Sequence, residues 1–215
     1  MLRQSITRNS LLLGLFALCT TMVIVSTKLV TEDDIARQRR MAEEKALLEI
    51  VPRDRHDNSM LEDTRPVGPE ARGLNLREEK QIYIARRDKE VVAVIIPAVA
   101  PDGYTGAINM IVGVNRDGSV AGVRVLNHRE TPGLGDKVEL RKSDWVLDFE
   151  GHTLSDPPPK GWAVRKDGGV FDQFTGATIT PRAVVAAVER ALQFARDNRA
   201  RLFELPGNTP AQGKS

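Results

Sequence analysis

Cysteine is nearly absent from this 215-residue sequence: the one thiol, Cys19, lies inside an apolar run, so no intrachain disulfide can form. A cysteine-free soluble part is compatible with an oxidising compartment. Histidine is also scarce. His56, His128 and His152 are scattered, no Cys or His pair has zinc spacing, and without a C-x-x-C-H run covalent haem is excluded. Neither charge is in excess. Lys+Arg number 31 against 29 Asp+Glu, and three of the bases (Arg3, Arg8, Lys28) flank the amino-terminal apolar run. The remaining body is therefore close to neutral and lacks the basic face that a nucleic-acid partner requires. No G-x-S-x-G elbow with a credible histidine partner is present, which argues against a secreted serine or threonine hydrolase. The chain has no internal repeat and no low-complexity stretch, and its length suits one domain plus an appendage.

What is present begins with the apolar run itself. The uncharged residues 9–27, between Arg8 and Lys28, would span roughly 28 Å as a helix, close to the hydrocarbon thickness of a bilayer. Apolar residues continue through Met22, Val23, Ile24 and Val25 without a clear small-x-small exit, so an uncleaved anchor is expected rather than a signal peptide. Leu18 is too large to precede a lipidated cysteine, and Cys19 is expected to be an ordinary buried thiol. The short basic tail favours a cytoplasmic amino terminus, and long translocated domains largely escape the charge rule. The body is expected outside the bacterial inner membrane, in the periplasm.

After the anchor the chain reads as α+β. A helix over 31–50 is expected, continuing or closely following the anchor, capped by Thr31, with Glu32, Asp33 and Asp34 in its first turn and Pro52 beyond its end. Residues 53–77 read as irregular surface chain, with a short helix near Arg77. Alternation over 81–86 and the β-branched run 91–96 predict two strands, after which residues 97–102 turn the chain. Strands over 107–114 and 120–126 flank Asn115-Arg116-Asp117-Gly118, a hairpin signal. These four strands are expected to form one largely antiparallel sheet. Residues 143–149 are a short helical candidate with Trp145, Leu147 and Phe149 in the core; 156–159 read as extended and exposed, and 162–165 as a strand. A terminal helix runs from about Arg182 to about Phe203, burying Val184, Val185, Val188, Ala191, Leu192 and Ala195, before a disordered tail, 206–215. The division expected is therefore tail and anchor (1–30), helix and connecting segment (31–77), main domain (78–205) and tail (206–215).

Two stretches carry chemistry. Asp172-Gln173-Phe174-Thr175-Gly176-Ala177-Thr178-Ile179-Thr180-Pro181 sets small residues and three hydroxyls directly ahead of the terminal helix. Thr180 suits an N-cap and Pro181 the first helical position. Gly176 and Ala177 let a ligand approach the backbone, and free N–H groups at the helix start favour an anion such as phosphate, which Thr178 is placed to hydrogen-bond or to bond covalently. The same string also reads as a capped helix after a turn, with local hydrogen bonds only. The second stretch is Glu130-Thr131-Pro132-Gly133-Leu134-Gly135, whose two glycines and proline fix its shape. Glu130, Thr131 and the backbone N–H groups around Gly133, Leu134 and Gly135 are candidates to line a pocket; a rigid connection is the other reading.

The anchor, the Glu130 loop and the Asp172 stretch, in this order and spacing, resemble the RnfG (RsxG) family, the G component of the Rnf electron-transport complexes and a relative of the C component of the sodium-translocating NADH:quinone reductase. Gly103-Tyr104-Thr105-Gly106-Ala107 and Gly161-Trp162-Ala163-Val164 look like further segments of that family. The resemblance implies that D-x-x-(S/T)-G-A-(S/T) is a flavinylation motif. Asp172, Thr175, Gly176 and Ala177 match it, and Thr178 is the implied site of FMN attached through a phosphoester. It further implies a separate Mg²⁺-dependent flavin transferase that draws on FAD, and partner subunits that couple electron flow between NADH and ferredoxin, or a related acceptor, to ion movement. The chain would then be a redox relay inside a translocase and not a stand-alone catalyst. The alternative is a membrane-tethered flavin-binding sensor or scaffold outside the electron route.

Overall fold

The computed structural model describes residues 2–204, so the tail expected at 206–215 lies outside the described residues. Two compact units divide the chain, Met1–Lys45 and Ala46–Ser215. The first is the bulk of one uninterrupted helix, α1 (Leu2–Ile50). Among the described residues it holds one stretch long and apolar enough to cross a membrane, Arg8–Glu32. Thr31 begins no new helix. Its hydroxyl instead donates to the Thr27 carbonyl at 2.8 Å, one turn back, because the chain is already helical there and offers it no free N–H. Cys19 lies exposed on α1 and not in a protein interior, since no other element of this unit covers it.

The second unit is a five-stranded antiparallel meander in the order β1 (Thr64–Val67), β2 (Lys80–Arg87), β3 (Glu90–Ala100), β4 (Ile108–Asn115) and β5 (Val120–Asn127). Over it lie α2 (Ile179–Asp197) and α3 (Arg199–Phe203), which complete an α+β fold. The apolar run in β3 reflects cover on both faces. Val94, Ile96 and Ala98 join the core under α2, with Val184, Val188 and Leu192. Ala93 and Ile95 belong to a second core with Leu47 and Ile50 from the end of α1, Val51 just beyond it, and Met60. Each large aliphatic so buried contributes about 1.5–3 kcal/mol.

Pro97 does not turn the chain, because β3 runs on to Ala100, with Pro97 paired to Ile111 of β4. Pairing with β2 stops at Ile95, and further along that edge Val99 N–H bonds the Leu74 carbonyl. The missing N–H of proline thus falls where β2 has already departed and breaks no ladder bond. In the segment read as irregular, Asp63 and Ile84 are joined through the backbone, β1 pairs with β2, and Leu74 and Leu76 are buried. The hairpin at Gly118 forms as its sequence directs, with φ of 92° at Gly118 and the Asp117 carboxylate accepting from Ser119 N–H at 2.9 Å.

Two features anchor the end of α1 on the sheet. A Cβ on Gly113 would run into Cγ2 of Ile50, and one on Gly122 would lie 3.5 Å from Ile50, so the two glycines form a notch for that side chain. Arg124, 7% exposed, donates to the Glu49 carboxylate at 3.0 Å and to the Glu49 carbonyl at 3.1 Å. A cation at a helix carboxyl end suits the macrodipole and satisfies a carbonyl that the helix itself cannot.

Candidate functional site

The turn ahead of α2 is built on an aromatic cluster. Trp145, Phe149, Phe171 and Phe174 pack with ring centroids 4.5–5.2 Å apart from neighbour to neighbour. Ser143 caps the short helical turn Asp144–Phe149 by accepting from Trp145 N–H, and the Trp145 indole donates to the Asp172 carbonyl at 2.8 Å. Phe174 is thereby held in the core while the chain reverses over Thr175 and Gly176. Ala177 N–H closes the turn on the Phe174 carbonyl at 3.1 Å, and Gly176 supplies the φ of 80° that the third position of such a turn demands. The strand expected over 162–165 is absent. Val164 makes one isolated bridge to Phe171, and short helical turns stand on either side. Pro157, expected to be exposed, is buried, and a Cβ on Gly161 would lie 2.5 Å from its ring.

The cap of helix α2 lies two residues before Thr180, the position expected for it. The cap is Thr178, whose side chain makes no capping hydrogen bond. Thr180 lies inside the first turn, fully buried, and its hydroxyl donates to the Glu130 carboxylate. The reason is electrostatic: a buried carboxylate without donors is far costlier than an uncapped helix N–H. Pro181 follows within the first turn, where its missing N–H is still harmless.

Glu130 is the hub of this region. Only 4% exposed, it accepts Tyr104 N–H at 3.3 Å, Thr105 N–H at 3.0 Å, the Thr105 hydroxyl at 3.1 Å and the Thr180 hydroxyl. Burial by itself would push its pKa up, but these hydrogen bonds outweigh it and hold the group below the usual carboxylate range. Three separated segments, 103–106, 127–135 and the start of α2, are therefore tied to one charge. Behind it, Glu130 N–H donates to His128 Nδ1 at 3.0 Å, which places the ring proton on Nε2, 2.7 Å from Glu139 Oε1. Gly135 closes against the hub. A Cβ there would lie 2.8 Å from Thr180 Oγ1 and 2.9 Å from Glu130 Oε2, too close for any side chain.

These pieces enclose a cleft of about 300 Å³ lined by Glu130, Thr131, Leu134, Gly135, Gly176, Ala177, Thr178 and Thr180, joined by Tyr104 and Ile179. The two stretches singled out in the sequence thus meet across one cavity. Asp172, Thr175 and Gly133 do not line it. The exposed Asp172 carboxylate pairs with Arg165 Nε at 3.0 Å and so fastens the base of the turn. Tyr104 and Ile179 were not among the residues assigned from sequence. The signals for Tyr104 are an aromatic residue between glycines in an inter-strand loop and the likeness of that segment to the family. Among the described residues no cluster of His, Cys, Asp or Glu is suited to a metal ion.

The residues present fit a phosphorylated flavin. Thr178 offers a hydroxyl with no capping duty, the Ile179 and Thr180 N–H groups have no partner four residues back within the helix, and the cleft combines polar atoms with apolar walls. The fold and site define an FMN-binding domain, and the family model of that description, "FMN-binding domain", matches residues 103–193. A second family model, "RnfG N-terminal region", matches residues 1–50. Curated relatives named as the G component of the ion-translocating oxidoreductase complex are 50% identical over 202 residues in Pseudomonas aeruginosa, covering 94% of each chain. They are 46% identical over 211 residues in Shewanella loihica, covering 98% of this chain and 99% of the relative. In Vibrio atlanticus the identity is 45% over 205 residues, 95% and 97% of the two chains. The chain belongs to the RnfG family, the G components of ion-translocating oxidoreductase complexes.

Proposed function

We propose that this chain is an electron-carrying flavoprotein subunit of an ion-translocating oxidoreductase complex, with FMN joined covalently through its phosphate to Thr178. The observation that carries the reading is Thr178, whose hydroxyl makes no capping bond, lining the cleft at the start of α2. Formation of the bond consumes FAD. Thr178 would supply the oxygen to the FMN phosphorus and give up its proton, with the pyrophosphate bond of FAD broken and AMP as the leaving group. In this reading, as the family resemblance implies, a separate Mg²⁺-dependent flavin transferase makes the bond and this chain is its substrate.

The phosphodiester keeps one negative charge, which the start of α2 stabilises by roughly 0.3–1 kcal/mol where solvent reaches it. The negative charge of Glu130 would oppose a second anion nearby, but its donors already satisfy it. Gly176 and Ala177 keep side chains out of the way of the phosphate. Bound in this cleft, FMN supplies uptake and release of single electrons. The protein contributes position, exposure and a fixed electrostatic surrounding, and it needs no acid–base pair dedicated to a metabolite.

In this reading neighbouring subunits deliver and remove the electrons, between NADH and ferredoxin or a related acceptor, while ion movement takes place elsewhere in the complex. Residues 9–27 hold no charge with which to conduct an ion. The anchor crosses the bacterial inner membrane once and leaves the flavin domain in the periplasm, where free flavin is not readily replaced and a covalent bond retains it. Peptide mass analysis of the full chain coexpressed with the transferase tests the attachment. An FMN-sized increment is expected on the peptide holding Thr178, and its survival in Thr178→Ala would refute the assignment.

A further inference from the structure

The rim of the cleft carries more uncovered apolar surface than the rest of the domain would lead one to expect. Tyr104 is 66% exposed, Ile179 46% and Leu134 42%, and all three line the cavity that contains Thr178. Of the other aromatic residues of this unit, Trp145, Phe149, Trp162, Phe171, Phe174 and Phe203 are buried, and Tyr83 and Phe194 are half-buried. Both indoles have backbone partners, Trp145 at Asp172 and Trp162 at Thr153. Tyr104 is the one exposed aromatic residue among those described from Ala46 onward.

Its exposure is not the looseness of an untethered loop. Tyr104 N–H and Thr105 N–H both end on the Glu130 carboxylate, and the Thr105 hydroxyl shares its one proton between that carboxylate and the Arg129 carbonyl, so the backbone beneath the ring is pinned from two sides. Gly103 sharpens the point. A Cβ there would lie 3.0 Å from Glu130 Oε1 and 3.0 Å from Ile108 Cδ1, so the loop sits as close to the hub as a backbone can. Leu134 reaches over the turn before Thr178, with its Cδ2 3.6 Å from where a Cβ of Gly176 would stand. An aromatic ring carried on a fixed backbone and two aliphatic side chains, gathered round one cleft and open to water, suit a flat ring system with two apolar faces.

We infer that Tyr104 stacks on the isoalloxazine ring of the Thr178-linked flavin, with Leu134 and Ile179 completing its apolar cover. The inference rests on the attachment reading above and adds the residue that orients the ring. It has an optical consequence. A tyrosine ring against an excited flavin donates one electron to it, and charge recombination returns that electron to the phenol, so fluorescence is quenched with no net oxidation of either partner. Phenylalanine preserves the stacking surface but is a much poorer electron donor, and leucine preserves neither.

The test uses the full chain, Tyr104→Phe and Tyr104→Leu, each coexpressed with the flavin transferase and first weighed intact. All three are expected to carry the FMN increment. Wild-type protein should then show strongly quenched flavin emission with a short-lived component. Both variants should lose that component and brighten severalfold. Tyr104→Phe should keep the visible circular dichroism band of the held flavin and its protection from iodide, whereas Tyr104→Leu should lose both. A loaded Tyr104→Leu with wild-type lifetime, dichroism and iodide protection overturns the stacking and leaves the attachment standing. A wild-type chain that never acquires the increment overturns the attachment, and the stacking with it.

Discussion

Replacing Thr180 with valine removes one donor from a buried carboxylate while keeping the shape of the side chain. Thr180 is fully buried and its hydroxyl meets Glu130, which is 4% exposed, so solvent is not at hand to replace the lost bond. Hydrogen bonds to charged groups contribute about 1.5–3 kcal/mol net. For a unit of this size that is a fall in Tm of roughly 3–12 °C. Unfolding of the full chain in detergent, followed by the emission of Trp145 and Trp162 in guanidinium at pH 7, measures it. The pH dependence gives an independent check. Because the folded pKa of Glu130 is depressed, its ionisation stabilises the fold fully above the ordinary carboxylate value, and that contribution is lost as pH falls through the folded value. Thr180→Val raises the folded pKa, so the variant gains less stability on going from acid to neutral pH. The gap between the two proteins should therefore narrow on acidification to the ~1 kcal/mol of a bond between neutral groups. A gap below about 0.5 kcal/mol at neutral pH, or one that stays constant as the pH falls through and below the ordinary carboxylate range, would refute the role of Glu130 as a charged hub.

Thr178→Ala should abolish the FMN increment yet cost less than the ~1 kcal/mol of a lost N-cap, because the Thr178 side chain makes no capping bond. Thr178→Ser should keep the increment; a large fall in Tm for the alanine variant would show a structural duty for the hydroxyl. Ile50→Ala should cost about 2–5 kcal/mol by emptying the notch at Gly113 and Gly122. Gly113→Ala should cost about 1–3 kcal/mol by overfilling that notch. In Gly113→Ala/Ile50→Ala the new methyl has room, so denaturation of the double variant should show a cost smaller than the sum; strict additivity would mean the two positions do not share the space. Flavin lifetimes of the Tyr104 variants complete the set.

How far the site could be read from residues alone depended on how local each cause was. The meeting of the Glu130 loop with the Thr178 turn was foreshadowed only by their content, since nothing in the spacing of residues 130 and 178 says they touch. Thr180 illustrates the limit. As a threonine before a proline and a helix it is a good cap, and the nearest local reason prevails until a buried carboxylate from fifty residues away claims the hydroxyl. Tyr104 was passed over because exposure depends on what the fold leaves uncovered. Pro97 looked like a turn because proline is unfavourable in a strand where a partner lines its N–H edge, and only the fold shows that β2 had already left that edge.

What the chain determined unaided were the features with short-range causes: the apolar length of α1, the Asp-Gly hairpin, the β-branched centre of β3 and the apolar face of α2. Each follows from propensity or period within a dozen residues. Tertiary structure decided the rest: which side of the sheet the end of α1 covers, where α2 begins, which hydroxyl is consumed by Glu130 and which is left free, and which aromatic residue stays in the open. Those outcomes turn on burying one carboxylate and filling two cores, and the cost of a buried charge without donors outweighs any local preference of the residues that supply them.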